Sequence, residues 1–287
     1  MQRTLLGFAL PLVLAVSCIS PDEVHVAPDT PITLYPAAGD LEGGQPTDLV
    51  RRAGVTVPDE PLDSGSVRRV AGRVKESVVS IYTKGTTPHR VRLIPVIGPG
   101  IRVNLPGVGL GSGFFIHPAG FVLTNAHVVR DAKEIHVMTR QGEELPVTMV
   151  AVDPVYDLAL LKVNQPGRQF AALPMGNSES VAVGDIVIAV GNPLGLGHTV
   201  TWGIISQTHR NLSGVTQEEG RTVEFLQIDA AINPGSSGGP LVTLSGAWVG
   251  VNTAGAVQAQ NIGFTVPSSN VEEFVRDILE ANGTPYP

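Results

Sequence analysis

The chain has 287 residues, 43% of them hydrophobic, a net charge of −7 and a single cysteine. That length supports one large core or two small ones rather than a string of independent domains. One cysteine excludes a disulfide within the chain, so stability must come from packing, and there is no basic patch to carry nucleic-acid binding.

Residues 1–17 carry one positive charge, Arg3, followed by the apolar run Leu5 to Val16, too short to span a bilayer comfortably and shaped like an export signal. Leu14-Ala15-Val16-Ser17-Cys18 reads as a bacterial lipobox in which Cys18 is lipidated and becomes the first mature residue. Ala15 stands where Leu is usual, and the alternative is an ordinary cleaved signal with an incidental cysteine. This places the chain outside the cytoplasm, in the bacterial periplasm or cell envelope, touching a membrane only through the lipid. Residues 18–66 follow as an acidic, Pro-rich tether: positions 19–66 hold seven Pro and nine acidic residues against two basic ones, Arg51 and Arg52. Too little apolar surface is available there to offset ordering, so disorder is expected. A flexible tether of this length has an end-to-end distance of about 40 Å. Its −7 balance equals the charge of the whole chain, so acidity says nothing about a substrate.

From residue 67 to 287 the pattern is that of an all-β unit with 33 Gly, 23 Pro and many short Val/Ile-rich runs in the chain. A helix comes first, with Val67, Val70, Ala71 and Val74 on one face. Strands are expected over 77–83, 113–116, 121–124, 134–139, 145–152 and 158–163, and again over 186–190, 200–206, 223–228, 240–244, 248–252 and 263–266. Two sets of six fit two six-stranded antiparallel β-barrels, over residues 67–170 and 171–268. A closing helix over 269–282 follows, with Val271, Phe274, Val275, Ile278 and Leu279 on one face, a capping box from Ser269 and Glu272, and a stop at Asn282-Gly283.

Three segments carry chemistry. Asn233-Pro234-Gly235-Ser236-Ser237-Gly238-Gly239-Pro240-Leu241 puts a serine in a turn whose backbone amides can surround one point. Gly238 and Gly239 would admit close approach of substrate and tight packing of the next strand. A serine hydroxyl is a poor nucleophile without a positioned base. His127, after the apolar run 121–124, offers that base, although a lone histidine at a strand end is usually structural. Asp157, before the apolar run 158–163, offers an orienting carboxylate, whose bland reading is a strand cap beside Asp153. The order His127, Asp157, Ser237 is that of the triad on chymotrypsin-like barrels.

The words Gly111-Ser112-Gly113-Phe114, Thr124-Asn125-Ala126-His127, Asp157-Leu158-Ala159-Leu160, Gly191-Asn192-Pro193-Leu194-Gly195, Asp229-Ala230-Ala231-Ile232-Asn233-Pro234-Gly235, Ser237-Gly238-Gly239-Pro240 and Asn261-Ile262-Gly263-Phe264 run in order along roughly three quarters of the chain. They resemble the HtrA/Deg branch of trypsin-like serine proteases. The resemblance implies the trypsin-like fold and a serine endopeptidase that hydrolyses misfolded or unfolded proteins in the cell envelope. Ser237 would be the nucleophile, His127 the base and Asp157 its orienter, with the Gly235 and Ser237 amides forming the oxyanion hole. It places the nucleophile immediately before Gly-Gly-Pro, which selects Ser237 over Ser236. It implies no cofactor and no metal, and His117, His136, His198 and His209 are scattered without ligand spacing. It also implies a homotrimer built through N-terminal aromatic residues, of which only Tyr35 and Tyr82 lie in or near the right region. Family members usually carry a PDZ domain after the last helix; with five residues left after Asn282, none is expected in this chain.

Substrate-binding positions follow by the same resemblance: Ala231, Ile232 and Asn233 on one wall, Asn252, Thr253 and Ala254 on the other. Proteases that cut after Lys or Arg have an Asp where Ala231 stands, so an apolar floor implies small or medium aliphatic residues before the cut. Asp229 lies two residues too early and reads as structural. At 236, where digestive-type zymogens place an Asp to pair with a new N-terminus, this chain has Ser236, against activation by cleavage. Segments 85–110, 209–220 and 254–260 are candidate regulatory loops or passive surface loops. Two rivals stand beside the protease: a chaperone or binding protein on a protease fold, opposed by the intact His127, Asp157 and Ser237, and a small-ester hydrolase, opposed by the lack of a Gly-x-Ser-x-Gly elbow.

Overall fold

The computed structural model describes residues 33–34, 65–91, 101–130, 132–191, 198–211, 217–218, 221–233, 235–255 and 261–281. The segment expected to be an export signal, Cys18 and Tyr35 lie outside these residues. Of the expected tether, Thr33–Leu34 (β1) and Gly65–Ser66 are described; Thr33–Leu34 is a strand rather than disordered chain, paired antiparallel with Val152 and Ala151, and Ser66 already belongs to the first helix.

Helix α1 (Ser66–Val74) buries Val70, Ala71 and Val74, the face expected from its spacing. Then come β2 (Val78–Val91), β3 (Ile101–His117), β4 (Phe121–Thr124), the single turn α2 (Ala126–Val129), β5 (Glu134–Met138), β6 (Glu144–Leu145), β7 (Val147–Asp153) and β8 (Leu158–Val163). They form an eight-stranded antiparallel sheet in the order β1-β7-β8-β4-β3-β2-β5-β6. This first unit is a half-barrel, not the closed six-stranded barrel expected. Pro146, which has no N–H to donate, divides the single strand expected over 145–152 into β6 and β7.

The second unit closes as expected. Its strands β9 (Ile186–Gly191), β10 (Thr199–Asn211), β13 (Glu224–Ile228), β14 (Pro240–Thr243), β15 (Trp248–Gly255) and β16 (Gly263–Pro267) form a six-stranded barrel, and the small ribbon β11 (Gln217–Glu218) and β12 (Arg221–Thr222) stands apart. Helix α3 (Ser268–Ala281) ends the described chain and buries Val271, Phe274, Val275 and Ile278. Its first turn is tied to the short turn at Ser178–Ser180: Ser269 N donates to Ser178 Oγ at 3.1 Å, and Ser178 N to Ser268 Oγ at 3.0 Å.

Many strands are apolar on both faces because both faces are covered. In β8, Ala159, Leu161 and Val163 point into the first unit's own core, while Leu158 and Leu160 point into a core shared by both units. In β9, Val187 and Ala189 fill the second barrel, and Ile188 and Val190 join the shared core. Period-two alternation is thus present in direction but hidden in composition. The shared core holds Phe114 edge-on to Trp248, ring centroids 5.4 Å apart, and receives Val70, Val74 and Phe274 from the helices. It fixes the two units against each other and so fixes any site that draws on both.

Candidate active site

The site lies on the seam. Its first half begins in the turn between β7 and β8, where Asp153 Oδ1 accepts the amides of Val155 (2.7 Å) and Tyr156 (3.2 Å). Asp153 therefore does the turn-capping that was the bland alternative for Asp157. Asp157 itself has a left-handed backbone, φ 54°, a region Asp tolerates better than most side chains.

That conformation lets one residue hold the start of α2. The Asp157 carbonyl accepts Ala126 N at 3.0 Å and Asn125 Nδ2 at 2.9 Å, and its carboxylate accepts His127 N at 2.9 Å through Oδ1. The other carboxylate oxygen, Oδ2, stands 2.8 Å from His127 Nδ1 and also accepts Thr253 Oγ1 at 2.8 Å. Both side chains are partly exposed, 32% for His127 and 22% for Asp157. Burial pushes the Asp157 carboxyl up, but the charge and hydrogen bonds of His127, with Thr253, outweigh it and hold the carboxyl below its ordinary range. Burial pulls the His127 pKa down and nearby Arg130 does the same; Asp157, by charge and hydrogen bond, prevails and raises it.

The second half is the turn between β13 and β14. Gly235 (φ 93°) and Gly238 (φ 85°) have backbones that side chains rarely adopt. Gly238 and Gly239 also have no room for a side chain, since a Cβ would sit 2.1 Å from the Ser112 and Val190 carbonyl oxygens respectively. The close approach they allow is therefore made by the protein's own backbone. Ser237 O accepts Ser112 N, Gly238 N donates to Asn252 O, and Asn252 N donates to Gly239 O, all at 2.8 Å. Among the described residues, the amides of Gly235 and Ser237 donate to no protein acceptor. The Ser237 hydroxyl donates to the Thr253 carbonyl at 2.6 Å and, among the described residues, makes no hydrogen bond with His127.

Of the substrate-binding candidates, Ala231 is exposed and its carbonyl accepts Thr201 Oγ1 at 2.9 Å. Ile232 is half-buried against the second barrel's core and above Gly263; Asn233 is exposed and its carbonyl accepts Ser236 N at 2.9 Å. Asn252 is wholly buried, its amide donating to Pro240 O at 3.0 Å and its Oδ1 accepting Thr265 Oγ1 at 3.1 Å. Its side chain thus faces the barrel interior rather than a pocket wall. The Ala254 side chain lies outside the described residues. Asp229 Oδ1 accepts Ile204 N at 2.7 Å, in keeping with a structural part.

Two residues acquire contacts that sequence reasoning did not give them. Thr253, read as pocket wall, touches both Asp157 and Ser237. Ser112, noted only within a motif, bonds the Ser237 loop twice, through N to Ser237 O and through Oγ to Gly235 O at 2.6 Å. The glycines flanking Ser112 were the available signal, because they mark a strand approached closely by other atoms. The four other histidines with described side chains have partners of their own: His117 accepts Ala119 N, His136 lies between Glu134 and Glu144, His198 meets Val78 O and His209 meets Glu224.

A profile of the trypsin-like peptidase domain matches residues 111–251, a span containing His127, Asp157 and Ser237. HhoA of Synechocystis sp., named as a serine protease, is 44% identical over 180 residues, 62% of this chain and 45% of that protein. A DegP-like protein of Brucella suis, named as a periplasmic serine endoprotease, is 44% identical over 179 residues, 60% of this chain and 33% of its own length. The chain thus spans less than half the length of these relatives. Among solved structures, the HtrA-type protease AlgW with decapeptide superposes with a TM-score of 0.60 at 36% identity, over 75% of this chain and 67% of that one. A variant of AlgW with decapeptide gives 0.64 at 33% identity, over 76% and 68%. On this likeness of sequence and fold, the chain belongs to the HtrA/Deg family of trypsin-like serine proteases.

Proposed function

We propose that the protein is a serine endopeptidase that cleaves protein substrates through an acyl-enzyme. The observation that carries this reading is the Asp157–His127 contact at 2.8 Å, joined through Thr253 to a serine at a turn where, among the described residues, the Gly235 and Ser237 amides donate to no protein acceptor. In the reaction, the Ser237 hydroxyl leaves the Thr253 carbonyl and turns to His127 Nε2. Its oxygen attacks the scissile carbonyl as His127 takes the proton. The proton then passes to the leaving amine, and water resolves the acyl-enzyme by the same route. Asp157 holds the tautomer with Nδ1 protonated and stabilises the imidazolium. The Gly235 and Ser237 amides receive the oxyanion; loss of one such donor typically costs roughly 10²–10³ in turnover.

Ala231 and Ile232 offer no carboxylate to a cationic side chain, which supports cleavage after small or medium aliphatic residues. The names of the relatives support an exported, periplasmic setting, and the decapeptide in the AlgW structure supports a peptide chain as ligand. Unfolded or misfolded envelope proteins as substrates, anchoring through Cys18 and a homotrimer complete the proposal. The Ser237–Thr253 bond is the one feature that favours the rival reading, a chaperone with little proteolysis, since it keeps the hydroxyl off its base. Degradation of casein by wild type and by Ser237→Ala separates the two readings. The protease reading expects degradation by wild type alone, and equal degradation, or none by either, rejects it.

A further inference from the structure

We propose that Ser112 is a positioning residue of this site, and that its hydroxyl holds the Gly235–Ser237 turn in the form that presents both amides to an oxyanion. The proposal rests on the protease reading above. Ser112 lies on β3, in the first unit, and is wholly buried. It grips the turn of the second unit along three consecutive stretches of backbone. Its Oγ donates to Gly235 O at 2.6 Å, its N donates to Ser237 O at 2.8 Å, and its own carbonyl, which accepts Thr124 Oγ1 at 2.7 Å, lies against Gly238.

The hydroxyl bond matters most because of where it acts. Gly235 is the most permissive residue of the turn, and its amide is one of the two that must point at the oxyanion. Fixing the Gly235 carbonyl fixes the peptide that joins it to Ser236, and with it the rotation about Gly235. The other end of that peptide is held by Ser236 N donating to Asn233 O at 2.9 Å. Position 236 supplies no charge: Ser236 is buried and neutral, so the turn has no ion pair of its own as an anchor. A third glycine reserves the space, because a Cβ on Gly191 would stand 2.8 Å from Ser236 Cα and 3.2 Å from Ser112 Oγ. The first unit thus supplies His127 and Asp157 and also sets the shape of the hole across the seam.

The test compares full-length wild type, Ser237→Ala, Ser112→Ala and Ser112→Thr in hydrolysis of an aliphatic chromogenic peptide, fluorophosphonate labelling and binding of a peptide boronate. For Ser112→Ala, kcat and the boronate affinity should fall by about 10–10², less than loss of a whole donor. KM should stay within about threefold and the midpoint of the acid limb should not move, because His127 and Asp157 are untouched. Ser112→Thr, which keeps the hydroxyl, should recover kcat to within about threefold of wild type. If Ser112→Ala does not fold, Ser112→Cys, which fills the volume with a poor donor, is held to the same criteria. A folded variant with kcat near wild type, a loss accompanied by a shifted acid limb, or an equal loss in Ser112→Thr overturns the proposal. Wild type that fails to label, or labelling that survives Ser237→Ala, rejects the protease reading itself.

Discussion

Ser237 donates its hydroxyl to the carbonyl of Thr253 at 2.6 Å, and the same Thr253 donates its own hydroxyl to Asp157 at 2.8 Å. One residue of β15 therefore touches both the proposed nucleophile and the carboxylate proposed to orient its base. The proposed reaction requires only the first of these bonds to break, because Asp157 and His127 are already in contact at 2.8 Å.

Thr253→Ala should slow turnover without abolishing it. Its hydroxyl is one of three donors on the Asp157 carboxylate, and a hydrogen bond to a charged group is worth about 1.5–3 kcal/mol. A fall in kcat of about 10-fold is expected, with Thr253→Ser within about threefold of wild type. Steady-state kinetics on a peptide substrate checks this, and full activity in Thr253→Ala would remove Thr253 from the account.

Asp157→Asn should do far more, because an amide can hold the imidazole in the wrong tautomer; the equivalent change in a well-studied triad costs about 10⁴ in kcat. The pH profile gives an independent reading. The base must be neutral, and Asp157 raises the His127 pKa, so activity should rise through a midpoint above the ordinary 6.5. In Asp157→Asn that midpoint should move to lower pH.

The same pair should appear in stability. His127, with its folded pKa raised, contributes stability below its ordinary value of 6.5 and loses it as pH rises through the folded value. Asp157, with its folded pKa lowered, contributes above its ordinary value of 3.8 and loses it as pH falls through the folded value. In a Ser237→Ala background, which removes self-digestion, the Tm difference between Asp157 and Asp157→Asn should be largest between 3.8 and 6.5 and shrink on either side. A difference that does not vary with pH would contradict the ion pair.

Two glycines with nearly the same φ but different surroundings separate conformational strain from lack of space. Gly246 (φ 86°) has open room, its nearest neighbour being Arg73 at 3.7 Å, whereas a Cβ on Gly238 (φ 85°) would lie 2.1 Å from the Ser112 carbonyl oxygen. Gly246→Ala should cost about 1–2 kcal/mol, a Tm shift of roughly 2–8 °C. Gly238→Ala adds overpacking of about 1–3 kcal/mol or more and should lose activity as well. Thermal melts of both variants in the Ser237→Ala background decide the comparison.

The apolar floor proposed at Ala231 makes a specificity prediction. A peptide library should show small or medium aliphatic residues before the cut, and Ala231→Asp should raise the relative rate after Lys or Arg by about tenfold or more, since it places a carboxylate within reach of a cation. A preference for Lys or Arg in the wild type would contradict the assignment of Ala231.

The strands, and the three residues proposed to react, were legible because each leaves a local mark: apolar runs bounded by turn residues, and His127, Asp157 and Ser237 beside them. What escaped depends on partners far away in sequence. Residues 85–110 read as a Pro/Gly-rich loop, yet β2 and β3 extend into it from either side as a ladder from Val78–Phe114 to Val91–Ile101, with Pro88 opposite Asn104 and Pro106 opposite Thr86; residues 92–100 lie outside the described residues. Such prolines are tolerated where a strand is paired on one side only. Likewise β10 runs to Asn211, and β11, inside the expected loop 209–220, pairs with β12 just beyond it. The division of labour between Asp153 and Asp157, and the double contacts of Thr253 and Ser112, arise only when β7, β15 and β3 meet at the seam.

Mass-spectrometric mapping of a fluorophosphonate adduct tests the central claim most directly. The account predicts one adduct per chain, on Ser237 and not on its neighbour Ser236, absent from Ser237→Ala and strongly slowed in His127→Ala. An adduct on Ser236, or one formed at the wild-type rate without His127, would contradict it.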